Sequence, residues 1–130
     1  MVLNLENVKD VSFAIEKGIY DATVEKAEVV KTADGRPMLT VGFQITGPKY
    51  AGKFIWGNWI LEGNGSNLGL PRVKDFVAAT SDCNLASVNL DAVVGSAVGK
   101  AVKLDVYRYM QKSGDYSGQY ANGINKIERA

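Results

Sequence analysis

Apolar and polar residues alternate most cleanly over residues 38–46, MLTVGFQIT, where Leu39, Val41, Phe43 and Ile45 fall on one face and Thr40, Gly42 and Gln44 on the other. A period of two predicts a strand with one face in a core and the other toward water. The preceding stretch, GIYDATVEKAEVV (18–30), sets Tyr20, Ala22 and Val24 against Asp21, Thr23 and Glu25, then changes phase so that Ala27 and Val29 become the apolar set. A long strand with a β-bulge near Lys26 produces such a shift. Between the two, KTADGRP supplies Asp34-Gly35, a turn pair that tolerates positive φ.

After the turn signal GPKYAG (47–52), KFIWGNWIL (53–61) reads as a third strand, with Trp56 and Trp59 three positions apart. An unbroken strand sends two residues at that spacing to opposite faces. A bulge at Gly57-Asn58 would instead bring both indoles to the face of Phe54 and Leu61. The pattern leaves both arrangements open. EGNGSNLG (62–69) then marks a loop, and Leu70, Val73, Phe76 and Val77 recur at helical spacing through LPRVKDFVAAT, with Pro71 suited to the first turn. NLDAVV (89–94) offers a short turn of helix before Gly95.

AVKLDVYRYM (101–110) alternates Val102, Leu104 and Val106 with Lys103, Asp105 and Tyr107, and YANGINKIE (120–128) closes the chain as a last strand. Three strands, a helix and two strands is the element order of the OB-fold, a small Greek-key barrel that commonly binds single strands or oligosaccharides, and an order that another small α+β sheet can share. The predicted fold class is therefore mainly β: a five-stranded OB-like Greek-key barrel with one helix between strands 3 and 4. Residues 1–17 form an N-terminal arm, and residues 18–130 a single OB-like domain.

Composition narrows the function classes. At 130 residues the chain suits one domain, and 46% hydrophobic with 22% charged residues is ordinary for a globular protein. The N-terminus lacks a basic start followed by an apolar run, and no apolar stretch approaches a membrane span, so a cytoplasmic protein without membrane association is expected. With no histidine and a single cysteine, Cys83, there is no thiolate or imidazole cluster for a metal, and the commonest catalytic base is missing. GNGSNLG puts leucine where the third glycine of a dinucleotide loop belongs, and GSAVGK is one residue short of a Walker loop and precedes Ala101, which cannot ligate magnesium. No enzyme activity, catalytic residue, metal or cofactor is expected.

Charge distribution says more than the net +1. Residues 1–30 carry three lysines against six acids, while residues 31–112 carry ten basic groups against six acids. Aromatic residues are interleaved with that positive charge. Lys103, Tyr107 and Tyr109 share the strand face opposite Val102, Leu104 and Val106, and Trp56 or Trp59 stands near Lys53. Single-strand binders use such arrangements, because bases present flat π-faces and cations follow the phosphates. Arg36, Lys49 and Tyr50 in the turns flanking the second strand, and Lys112, Tyr116 and Tyr120 in or beside the last turn, occupy the loops that rim an OB groove. The alternative reading leaves the tyrosines covering a barrel end and the charged turns merely solvated.

Four stretches, GIYDATVEKAEVVKTADGRPMLTVGFQITGPKYAGKFIWGNWIL, GLPRVKDFVAAT, VVGSAVGKAVKLDV and NGINKIE, together resemble a family of small bacteriophage proteins encoded beside replication and recombination genes. The resemblance spans residues 18–128 and implies an OB-fold single-stranded DNA-binding protein acting in the cytoplasm of an infected bacterial host. Its partners would be single-stranded DNA and phage or host replication and recombination proteins, with homo-oligomers left open. One departure bears on recruitment: the chain ends NKIERA, with one acid and two bases, where many single-strand binders end in an acidic tail. The other functions kept open are a protein-interaction or virion-assembly module on the same barrel, and oligosaccharide binding.

Overall fold

The computed structural model describes residues 1–6, 14–114 and 117–130. The elements run β1 (Gly18–Lys31), β2 (Pro37–Gly47), β3 (Phe54–Ile60), α1 (Ser66–Thr80), α2 (Leu90–Ala97), β4 (Ala101–Met110) and β5 (Tyr120–Arg129). The strands form one antiparallel sheet in the order β3-β2-β1-β4-β5. At 14 residues, β1 is long enough to pair with β2 along one edge and with β4 along the other. The edge strands β3 and β5 share no ladder but pass within 8 Å of each other between Cα atoms.

Phase changes in the sequence correspond to bulges in the sheet. The β1–β2 register steps from Val24–Phe43 to Lys26–Gly42, leaving Glu25 as the extra residue where the pattern predicted a bulge. Beyond it the strand runs past the core, so Ala27 is partly buried but Val29 is exposed. A second bulge lies in β5, where Asp105–Lys126 is followed by Val106–Ile124 and Asn125 is left over. That extra residue lets Ile124 and Ile127, three apart, both be buried.

Leu39, Val41, Phe43 and Ile45 of β2 meet Val102, Leu104 and Val106 of β4 in the core, and burial of each such side chain contributes about 1.5–3 kcal/mol. Helix α1 seals that core by setting Phe76 edge-on against Phe43, with ring centroids 6.4 Å apart. Gly69 allows the approach: a Cβ there would come within 3.0 Å of the Ile60 backbone. At the other end of α1, the Arg129 guanidinium donates to the carbonyls of Ala78 (2.8 Å) and Ser81 (2.9 Å) and pairs with Asp82, satisfying helix-terminal acceptors from β5.

Two expectations are corrected. There are two helices between β3 and β4, because Leu90, Val93, Val94 and Ala97 form an apolar helical stripe and Asn89 caps it by accepting from the Ala92 amide. Helix α1 begins at Ser66, directly after Gly65 with φ 92°, so Pro71 lies inside it rather than in its first turn. The missing proline N–H forfeits only the bond to the Asn67 carbonyl, which an exposed residue can replace with water. Ahead of β1, Ile15 is buried, and its amide and carbonyl bond to the Asn122 side chain at 2.9 Å each. Among the described residues no helix is long and apolar enough to cross a membrane.

Candidate functional site

The β2–β3 register runs unbroken from Met38–Ile60 to Gln44–Phe54, so β3 alternates strictly. Ile55, Gly57 and Trp59 face inward, and Phe54, Trp56 and Asn58 face outward. The two indoles are divided accordingly, Trp59 being 8% exposed and Trp56 46%. Trp56 lies over Gly42, its cross-strand partner, where a Cβ would meet the ring at 2.7 Å. Phe54 stacks beside it, with centroids 6.3 Å apart and planes 19° from parallel. The outer face of β3 thus carries two large, half-exposed rings held in a common orientation.

A second pair stands on β4. Tyr107 and Tyr109 project from the face opposite the core, with centroids 5.9 Å apart. Tyr107 lies over Gly123, its partner on β5, where a Cβ would meet the ring at 2.2 Å. Both pairs are therefore built alike, a ring on one strand laid across a glycine on its neighbour. The absent side chain makes room for the ring to lie flat.

Because β3 and β5 converge, Trp56 of the first pair and both tyrosines of the second line one groove of about 490 Å³, together with Asn58, Asn122 and Arg72 among others, while Phe54 stands beside Trp56 outside it. The Thr40 hydroxyl donates to the Asn58 side-chain oxygen Oδ1 at 3.0 Å, which leaves the side-chain nitrogen Nδ2 as a donor. Asn122 is committed to Ile15 and to the Tyr107 carbonyl (3.1 Å), tying the segment before β1 to the hairpin that carries the tyrosines. Arg72 reaches the groove from α1, its Nε 3.5 Å from Asp75 Oδ2 in an ion pair without a hydrogen bond between those two atoms. The groove offers flat apolar faces, amides and one guanidinium. Among the described residues no cluster of three His, Cys, Asp or Glu side chains could hold a metal.

The residues singled out from sequence are dispersed. Trp56, Tyr107 and Tyr109 come together at the groove; Trp59 touches it but packs into the core over Gly57. Lys103 is exposed on the tyrosine face of β4 without lining the groove, and Lys53 immediately precedes Phe54. Lys49 is exposed in the β2–β3 turn, and Tyr50, at φ 61°, sets its ring edge-on to Tyr20 at 6.0 Å. Lys112 is exposed in the β4–β5 connection, and Tyr116 lies outside the described residues.

Arg36 has a structural task. Its Nε pairs with Asp34 at 2.9 Å and its Nη1 donates to the Asn64 carbonyl, fastening the β1–β2 turn to the loop before α1. Hydrogen bonds from Thr32 and then Arg36 hold the Asp34 carboxyl below the usual range. Sequence reasoning missed Phe54, Asn58 and Arg72. For Phe54 the signal was present, since it stands two residues before Trp56 and shares its face on any unbroken strand.

The groove lies almost wholly within a segment of known kinship: residues 3–124 match a family described as protein of unknown function (DUF669). The chain belongs to that family. The match covers every residue of both ring pairs in this DUF669 protein and the Gly42 and Gly123 beneath them. No curated protein matches it.

Proposed function

We propose that this protein is a non-catalytic, largely sequence-independent single-stranded DNA-binding protein of phage replication or recombination. The observation that carries the reading is a set of exposed rings at one groove, Trp56 laid over Gly42 with Phe54 stacked beside it and Tyr107 laid over Gly123 with Tyr109 beside it. Bases splayed from a single strand stack on such rings for about 1–3 kcal/mol each, and every base has a face to offer. Half-exposed rings cost solvation in the free protein, which a stacked base would recover.

The fold we infer is an OB-type, partly open barrel. Its support is the strand order β3-β2-β1-β4-β5 with β3 and β5 brought side by side, which gives the cyclic order of an OB barrel, and the helices inserted between β3 and β4. The groove then occupies the seam where the barrel closes. Shielding exposed strands in the cytoplasm of an infected bacterium, alongside replication or recombination proteins, is the role that suits such a site.

A second reading, oligosaccharide binding, has one observation of its own. Asn58, Asn67 and Asn125 line the groove beside the indole, and amides with an aromatic face also suit sugar hydroxyls and ring faces. The separating experiment is an anisotropy titration of labelled oligo-dT with unlabelled duplex and neutral oligosaccharides as competitors. The DNA reading expects tight binding that neither competitor displaces. Equal displacement by duplex would reduce the interaction to charge attraction, and displacement by a sugar would favour the second reading.

A further inference from the structure

A second, larger cavity, about 1090 Å³, runs along α1 between that helix and the connection leading to α2. Its walls are apolar: Leu61, Leu70, Val73, Val77, Leu85 and Val88. Leu70, Leu85 and Val88 are exposed although they sit in a concave, helix-backed site, and the rim carries one acid, Glu62, and one base, Lys74. None of this surface contributes to the aromatic platforms.

The same chain displays an apolar segment in need of cover. In MVLNLE, Met1, Leu3 and Leu5 alternate with Val2, Asn4 and Glu6, so an extended backbone would present three large apolar side chains on one side. All of Met1, Val2, Leu3 and Leu5 are exposed, Val2 at 98%, so the segment does not lie in its own chain's cavity. Asn4 accepts from the Glu6 amide at 3.1 Å, a local turn that ends the stretch just after Leu5. One charge matches as well: Glu6 complements Lys74.

Lengths match too. From Asn67 to Val77 the helix advances about 15 Å, and Met1 to Leu5, extended, spans about 13 Å. We infer that residues Met1–Leu5 of a second copy of this chain seat in the cavity along α1. Exchanged reciprocally, two arms and two cavities make a closed dimer, each subunit giving and receiving the same contact.

The test uses light scattering of the full chain over a concentration series, with an arm variant (Leu3→Asp with Leu5→Asp) and a cavity variant (Leu85→Asp). All three positions are exposed, so both variants should keep the wild-type circular dichroism and thermal midpoint. The wild type should move from monomer to dimer as concentration rises, and each variant should stay monomeric. Mixed one to one, the variants should form a weaker heterodimer, because the cavity variant's intact arm can enter the arm variant's intact cavity. A wild type that remains monomeric throughout, variants that still dimerise, or a mixture without heterodimer would each overturn the inference. Oligo-dT binding by the monomeric variants reports separately on the groove.

Discussion

The indole of Trp56 rests on Gly42, its partner across the β2–β3 ladder, so closely that a Cβ at residue 42 would lie 2.7 Å from the ring. The contact fixes where the ring lies. Gly42 is itself buried beneath it, and Phe54 supports the ring from the side at 6.3 Å. The orientation of this exposed ring thus depends on the residue buried beneath it.

Gly42→Ala should therefore act as an orientation mutation. The new methyl displaces the indole while leaving the ladder intact, so oligo-dT affinity should fall by as much as one stack, about 1–3 kcal/mol. Gly123→Ala should do the same through Tyr107, where the approach is closer still at 2.2 Å. Binding isotherms with thermal melts check both, and wild-type affinity in either variant would mean that its ring is not a platform.

The two tryptophans should separate cleanly. Trp56→Ala should lose about 1–3 kcal/mol of DNA binding with little change in stability, whereas Trp59→Ala should lose about 3–5 kcal/mol of stability by emptying a core site. Urea melts and titrations on each variant would show whether the two effects trade places.

Among the described residues few cations stand at the groove. Arg72 lines it, Lys103 shares the tyrosine face and Lys53 adjoins Phe54. Two or three phosphate contacts on a single strand give a slope of log K against log salt of about −1.4 to −2.1. Stacking should then carry most of the affinity. A much steeper slope would place the strand on other cations, such as those of the exposed turns.

Arg129 offers a control remote from the groove. Arg129→Ala removes its bonds to the Ala78 and Ser81 carbonyls and its pairing with Asp82, and for a half-exposed guanidinium the loss should be about 1–2 kcal/mol of stability. Hydrogen exchange should rise at the end of α1, and oligo-dT affinity should be unchanged.

Alkaline pH should expose Tyr20. Burial, then the neighbouring Tyr50 and Glu16, raise its pKa, and its hydroxyl donates to the Glu16 carbonyl at 2.6 Å. Because the folded value lies above the unfolded one, its contribution is fully present below about pH 10 and is lost as pH rises through the folded value. Tyr20→Phe should be about 1 kcal/mol less stable at neutral pH and should lose less on going alkaline.

How far the sequence led is clearest at its two three-residue spacings. Strand periods located all five strands and the bulge at Glu25, because apolar residues on both sides of that bulge announce the change of phase. Trp56 and Trp59 could not be resolved in the same way. Ile124 and Ile127 have the same spacing and are both buried through a bulge at Asn125, while the tryptophans straddle an unbroken strand. Local pattern does not distinguish the two, since a ring over Gly42 and a ring over Gly57 are each stable and only the neighbouring strand decides.

The groove was half legible for a related reason. Its aromatic residues belong to strands whose faces can be counted, but Arg72 arrives on a helix whose start was hidden among glycines and asparagines, and Arg36 turned out to be bound within a turn. The convergence of β3 and β5 is a tertiary fact without local signature.

With only two tryptophans, one buried and one at the groove, the central claim can be read from fluorescence. Trp59→Phe leaves Trp56 as the sole indole. Titrated with oligo-dT, that protein should show saturable quenching with the same midpoint as binding measured by anisotropy, while Trp56→Phe, reporting from the core, should change little. Binding of oligo-dT that leaves Trp56 fluorescence untouched, or no binding at all, would contradict the account.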